Sequence, residues 1–160
     1  MRTQAEQIEM IRADQEFWRG LAAEVGPSRY AEPGPMGEWS FADLAGHLAG
    51  WRNRTIARLG ALARNEPEPA PPWPADLHED DEINAWIHDH DAGRSPDQLV
   101  ADYADSYDRL IEALQALPEE KQTVVVPWIG EPLVDIDFTG HLHDEHVPAV
   151  RAWLDGTGTT

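Results

Sequence analysis

The sequence predicts an all-α protein, a bundle of four long amphipathic helices, and three observations predict it. Apolar residues recur at three- and four-residue steps over four long stretches. Capping signatures open two of these stretches, and a single proline-rich excursion interrupts a chain with no self-similar repeat period. The 160 residues suit one domain, 1–155, followed by a Gly/Thr tail, 156–160, that reads as disordered.

The first helix is expected over Thr3 to Val25, where Ile8, Ile11, Trp18, Leu21, Ala22 and Val25 share a face and Gly26-Pro27 ends the run. Ser28 to Glu38 carries Pro33, Gly34, Pro35 and Gly37 and reads as a loop. Ser40 then caps a second helix, with Asp43 in the place of the usual capping-box Glu. Leu44, Leu48, Trp51, Thr55, Leu59 and Leu62 carry it to about Arg64. Residues 65–74 hold five of the thirteen prolines and can sustain neither a helix nor a central strand.

A short helix follows over Asp80 to Asp91, with Ile83, Trp86 and Ile87 facing inward and Gly93 stopping it. Ser95-Pro96-Asp97-Gln98 supplies cap, first-turn proline and capping-box glutamine for the third long helix, which Leu99, Tyr103, Tyr107, Leu110, Leu114 and Leu117 carry to Pro118. The run Thr123 to Val126, turned by Ile129-Gly130-Glu131-Pro132, suits a small hairpin or an extended loop. The fourth helix is expected from near Asp137 to Leu154, with Phe138, Leu142, His146, Ala149, Val150 and Trp153 on one side. Pro148 is tolerated if that helix starts near Asp144 and kinks it if it starts at Asp137.

Thirty acidic against twelve basic residues give a formal charge of −18, which repels phosphate backbones and anionic lipid and argues against nucleic acid and membrane partners. Cysteine is absent, which excludes disulfides, thiolate nucleophiles and Cys-ligated metals. With no leader-like or membrane-length apolar run, a cytoplasmic location is expected. Neither a glycine-rich phosphate loop nor a nucleophile elbow is present.

Three of the seven histidines fall in the run His141 to His146. Neutral imidazole is the commonest metal ligand and titrates near neutral pH, so the cluster marks a metal or acid–base site. His47 sits on the apolar stripe of the second helix, between Leu44 and Trp51, and His146 sits likewise between Leu142 and Val150. Two inward histidines from different helices can meet inside a bundle. Trp51, Trp128 and Arg54 are the candidate lining of a substrate pocket; Arg52, Arg54 and Arg58 after Trp51 could bind an anionic substrate in an otherwise acidic protein, although they read more simply as a solvated face. His78, His88 and His90 read as surface groups.

The segment Trp39-Ser40-Phe41-Ala42-Asp43-Leu44-Ala45-Gly46-His47-Leu48-Ala49-Gly50-Trp51 resembles the second-helix motif of the DinB-like superfamily. Asn84-Ala85-Trp86-Ile87, Leu117-Pro118-Glu119-Glu120 and the stretch from His146 to Trp153-Leu154 resemble its ClbS/DfsB-like branch, and the chain is also similar to the N-terminal domain of mycothiol-dependent maleylpyruvate isomerase. The resemblance implies an up-down-down-up bundle whose second helix gives one histidine, and whose fourth gives two ligands four residues apart, to a divalent metal. It implies a metal-dependent hydrolase or thiol transferase acting on a small electrophile, with zinc or nickel and a low-molecular-weight thiol as cofactors. Two alternatives stand beside it: a metal-free ClbS-like self-resistance protein that binds or hydrolyses a reactive natural product, and a non-catalytic homodimeric bundle. Leu142 occupies the position that the pattern gives to a ligand. The expected set is therefore His47, His143 and His146, with His141 and Glu145 as a weaker i, i+4 pair. Without metal, His47 and His146 serve as general base and hydrogen-bond donor.

Overall fold

The computed structural model describes residues 1–156, so the expected disordered tail lies outside the described residues apart from Gly156. The all-α class is what is observed: α1 (Gln4–Val25), α2 (Phe41–Ala63), α3 (Asp80–Asp91), α4 (Pro96–Gln115), the short α5 (Glu119–Gln122) and α6 (Val147–Leu154). Two small antiparallel pairs accompany them, β1 (Pro33–Gly34) with β2 (Gly37–Ser40), and β3 (Val125–Val126) with β4 (Glu131–Pro132). No helix among the described residues is long and apolar enough to cross a membrane.

Capping residues set the helix starts. The side chains of Thr3, Ser40 and Ser95 accept from the backbone N–H three residues on, and Glu6, Asp43 and Gln98 reach back to the cap. The Thr3–Glu6 box lacks the apolar flank that makes the other two conspicuous in sequence. The segment read as a loop before α2 contains the β1–β2 hairpin, because Gly34 and Gly37, both at positive φ, permit its tight turn. The second hairpin takes the hairpin option left open for residues 123–136, with Val125 paired to Pro132 and Val126 to Glu131.

One core joins α1, α2, α4 and the C-terminal helical segment. Trp18 of α1 stacks on Phe41 of α2 with ring centroids 4.7 Å apart and meets Tyr103 of α4 edge-on at 4.6 Å. Each such pair adds about 0.5–1.5 kcal/mol beyond burial, so these rings fix how three helices sit together. A smaller cluster of Trp73, Ile83 and Ile87 seats α3 on the outer side of α2, where Trp51 and Trp86 pack against it. Gly46 and Gly50 make this close approach possible: a Cβ on Gly50 would lie 2.8 Å from Ile87.

The expected fourth helix differs in its first half. Residues His141–His146 form a π-helical turn, in which the Val147 N–H donates to the Leu142 carbonyl, and α-helix begins only at Val147. Pro148 explains the break. It has no N–H to give the Asp144 carbonyl, and its ring would clash with that carbonyl in a continuous α-helix. A wider turn before the proline removes the conflict and leaves Pro148 in the first turn of α6, where it is tolerated.

Candidate metal centre

The π-helical turn decides which histidines meet. At 3.6 residues per turn, five residues of α-helix advance a side chain by about 140°, which would put His141 and His146 on different faces. Bonding from i to i+5 instead places residue i+5 about one turn above residue i. His141 and His146 thus share a face, and that face looks at His47 on α2.

Nε2 of His141 lies 3.1 Å from Nε2 of His47 and 3.2 Å from Nε2 of His146. All three ligand atoms fall within 4.8 Å of one another. Two imidazole nitrogens on one tetrahedral ion at Zn–N distances of about 2.0–2.1 Å are roughly 3.3 Å apart, so the spacing fits a shared ion. Hydrogen bonding explains the cluster less well. A neutral ring nitrogen offers either one proton or one lone pair, and His141 Nε2 faces two like nitrogens at once. A cation accepts three lone pairs together.

Burial keeps the rings neutral, as ligation requires. Desolvation, followed by the proximity of His141 and His146, drives His47 down to about 3, with Asn84 a smaller opposing influence. His146 is held at about 4, again mainly by burial and then by His141. Burial also lowers His141, assisted by the Arg52 charge and opposed by Glu145 and Asp80. Among the described residues, His47 Nδ1 is buried without a hydrogen bond of good geometry.

The three rings open into a cavity of about 390 Å³, lined also by Trp51, Arg52, Trp128, Phe138, Tyr103 and Glu145. That volume suits a small molecule. Trp128 and Ile129 come from the β3–β4 turn, and Trp51 is held by its Nε1–H donating to Asn84 Oδ1 at 2.8 Å. Glu145, largely exposed, brings Oε2 to 3.6 Å from His141 Nε2.

Of the expected metal set, the fold brings His47 and His146 together and completes the group with His141, the member ranked below His143. The vacancy left by Leu142, which is buried in the core, is filled one residue earlier because the π-turn absorbs one extra residue. His143 points to α1, where its Nε2 pairs with Asp14 and its ring lies 4.5 Å from Phe17. Asp14 is buried and also accepts from the Tyr107 hydroxyl at 2.7 Å, so His143 belongs to a carboxylate network beside the cavity. The sequence reading gives Asp14 no role, although its place three residues after Ile11 and four before Trp18 puts a carboxylate on a buried face.

The arginines of α2 lie otherwise than their spacing suggests. Arg54, expected in the pocket, instead binds Glu68 at 2.7 Å and the Pro69 carbonyl at 2.5 Å, which pins the proline-rich excursion to α2. Arg52, read as part of a solvated face, is buried in the cavity wall. Its position four residues after Leu48 and seven before Leu59 was the available signal. Elsewhere, His88 stacks on Trp39 and His90 on Trp86, both apart from the cavity, and His78 is exposed.

Residues 11–155 match the family model described as Mycothiol maleylpyruvate isomerase N-terminal domain. No curated protein and no solved structure matches.

Proposed function

The chain belongs to the mycothiol maleylpyruvate isomerase N-terminal domain family, within the DinB-like superfamily, and from that premise we propose that it is a metal-dependent enzyme. On the superfamily's up-down-down-up bundle, it transfers a nucleophile, a low-molecular-weight thiol or water, to a small electrophilic molecule held in the cavity. The observation that carries this reading is the convergence of the His47, His141 and His146 Nε2 atoms on the cavity wall.

The residues that would hold a divalent ion are these three histidines, and an all-imidazole set suits zinc or nickel. Such an ion supplies Lewis acidity, which favours the deprotonated nucleophile at neutral pH and polarises the electrophile. The remaining work belongs to the chain. Trp51, Trp128 and Phe138 surround the apolar body of the substrate and displace water. Glu145, an exposed carboxylate beside His141 in the cavity lining, accepts the proton that the nucleophile releases.

The test is consumption of a model epoxide by purified protein, with and without an added thiol, before and after chelation. Activity lost on chelation and restored by zinc or nickel is expected, and dependence on the thiol separates transferase from hydrolase. Activity that survives chelation and the His141→Ala substitution overturns the metal reading. It points instead to metal-free hydrolysis, with His47 and His146 as the acid–base pair.

A further inference from the structure

Two arginines of α2 are buried, and only one of them has an acid. Arg54 holds Glu68, whereas Arg52 has no carboxylate within 4.0 Å among the described residues, in a chain of thirty acidic side chains. Its guanidinium packs on two aromatic rings of α4, 3.9 Å from the Tyr107 centroid and 4.5 Å from that of Tyr103. Its hydrogen bonds to Ser106 and Phe138 are long: Nη1 donates to Ser106 Oγ at 3.3 Å and Nη2 to the Phe138 carbonyl at 3.4 Å. A guanidinium has five N–H donors, so even with the Tyr103 hydroxyl as a further partner it keeps donors without a protein acceptor among the described residues.

A charge taken out of water is costly unless it is paired and hydrogen-bonded, and cation–π contacts offset only part of that cost. Arg52 is therefore a buried cation with spare donors, and it lines the same cavity as the three histidines. Arg58 also lines that cavity, but its Nε is engaged by Glu68 at 2.7 Å. The cavity's acidic side chains, Asp80, Asp137 and Glu145, oppose a highly charged anion. What fits one planar fork, a small aromatic-walled volume and a lining whose one other cation, Arg58, is already engaged by Glu68 is a single, planar negative group.

We infer that Arg52 is the anion anchor of the cavity and that the substrate is a small monocarboxylic acid, its carboxylate on the guanidinium and its apolar body among Trp51, Trp128 and Phe138. This rests on the cavity being the substrate site, but not on the metal. The anchored carboxylate fixes which carbon of the substrate meets the histidine centre.

The probes are benzoate and its uncharged isostere benzamide, titrated calorimetrically into the protein as purified and after chelation, so that binding to a metal is separated from binding to Arg52. Benzoate is expected to bind about tenfold or more tightly than benzamide in both preparations. Arg52→Gln is expected to abolish the preference and Arg52→Lys to lose most of it, because the ammonium keeps the charge without the fork. If Arg52→Gln does not fold, Arg52→Lys decides. The preference in chelated protein needs no metal, so a failure of the metal reading leaves this result intact. Equal affinity for the two probes, absence of benzoate binding, or a preference unchanged in a folded Arg52 variant overturns the inference. Inorganic phosphate binding more tightly than benzoate overturns the monocarboxylate assignment.

Discussion

His47 and His146 are histidines that the folded protein resists charging. Burial holds them down to about 3 and about 4, against an ordinary value of 6.5. Between pH 6.5 and about 4, the unfolded chain therefore binds protons that the folded chain refuses, and stability falls as pH falls. The contribution is complete above pH 6.5 and is lost progressively below it. Denaturant midpoints of metal-free protein are expected to drop between about pH 7 and about pH 5, and to drop less in His47→Leu; equal drops contradict the assignment. The buried carboxylate of Asp14 depends on the Tyr107 hydroxyl and His143. Tyr107→Phe should cost about 1–3 kcal/mol in a denaturant titration, because it withdraws a donor from a buried charge without leaving a large void.

At the scale of elements, the contact between α2 and α3 and the turn before α6 carry the most consequence. Alanine in place of glycine inside an exposed helix gains up to about 1 kcal/mol. At Gly50, the new Cβ would press on Ile87 at 2.8 Å, and overpacking of that kind costs about 1–3 kcal/mol. Overpacking wins, so Gly50→Ala should lower the thermal midpoint, and a raised midpoint would show that α3 is loosely seated. Pro148 sets the second element. Pro148→Ala restores the missing donor and lets α-helix extend toward His141, which swings that ring away from His146. Metal affinity should fall severalfold, read by competition with a chromophoric chelator; unchanged affinity would mean that the π-turn is held by something other than the proline.

Over the whole molecule, the helical class and most helix boundaries were legible, because periodicity and capping residues act locally. Ser40 with Asp43 and Ser95 with Gln98 announce their helices within four residues. The site was half legible. His47 and His146 lie on apolar stripes that a regular helix predicts, but His141 reaches them only through a turn of another period, which spacing rules for α-helices misassign to His143. Arg52 and Asp14 were legible in principle, as charges on buried stripes, yet the chain's abundant charge made each look like solvated surface. Arg54 was placed in the pocket by adjacency to Trp51, whereas the proline-rich excursion, a tertiary partner, claims it.

Metal content across three proteins distinguishes a His47–His141–His146 centre from the other readings. Elemental mass analysis of wild type, His141→Ala and His143→Ala, each purified without added chelator and checked for folding, is expected to give close to one zinc or nickel per chain in wild type and His143→Ala. Little or none should remain in His141→Ala. Metal retained in His141→Ala but lost in His143→Ala would contradict the π-turn site, and metal absent from all three folded proteins would contradict the metal centre itself.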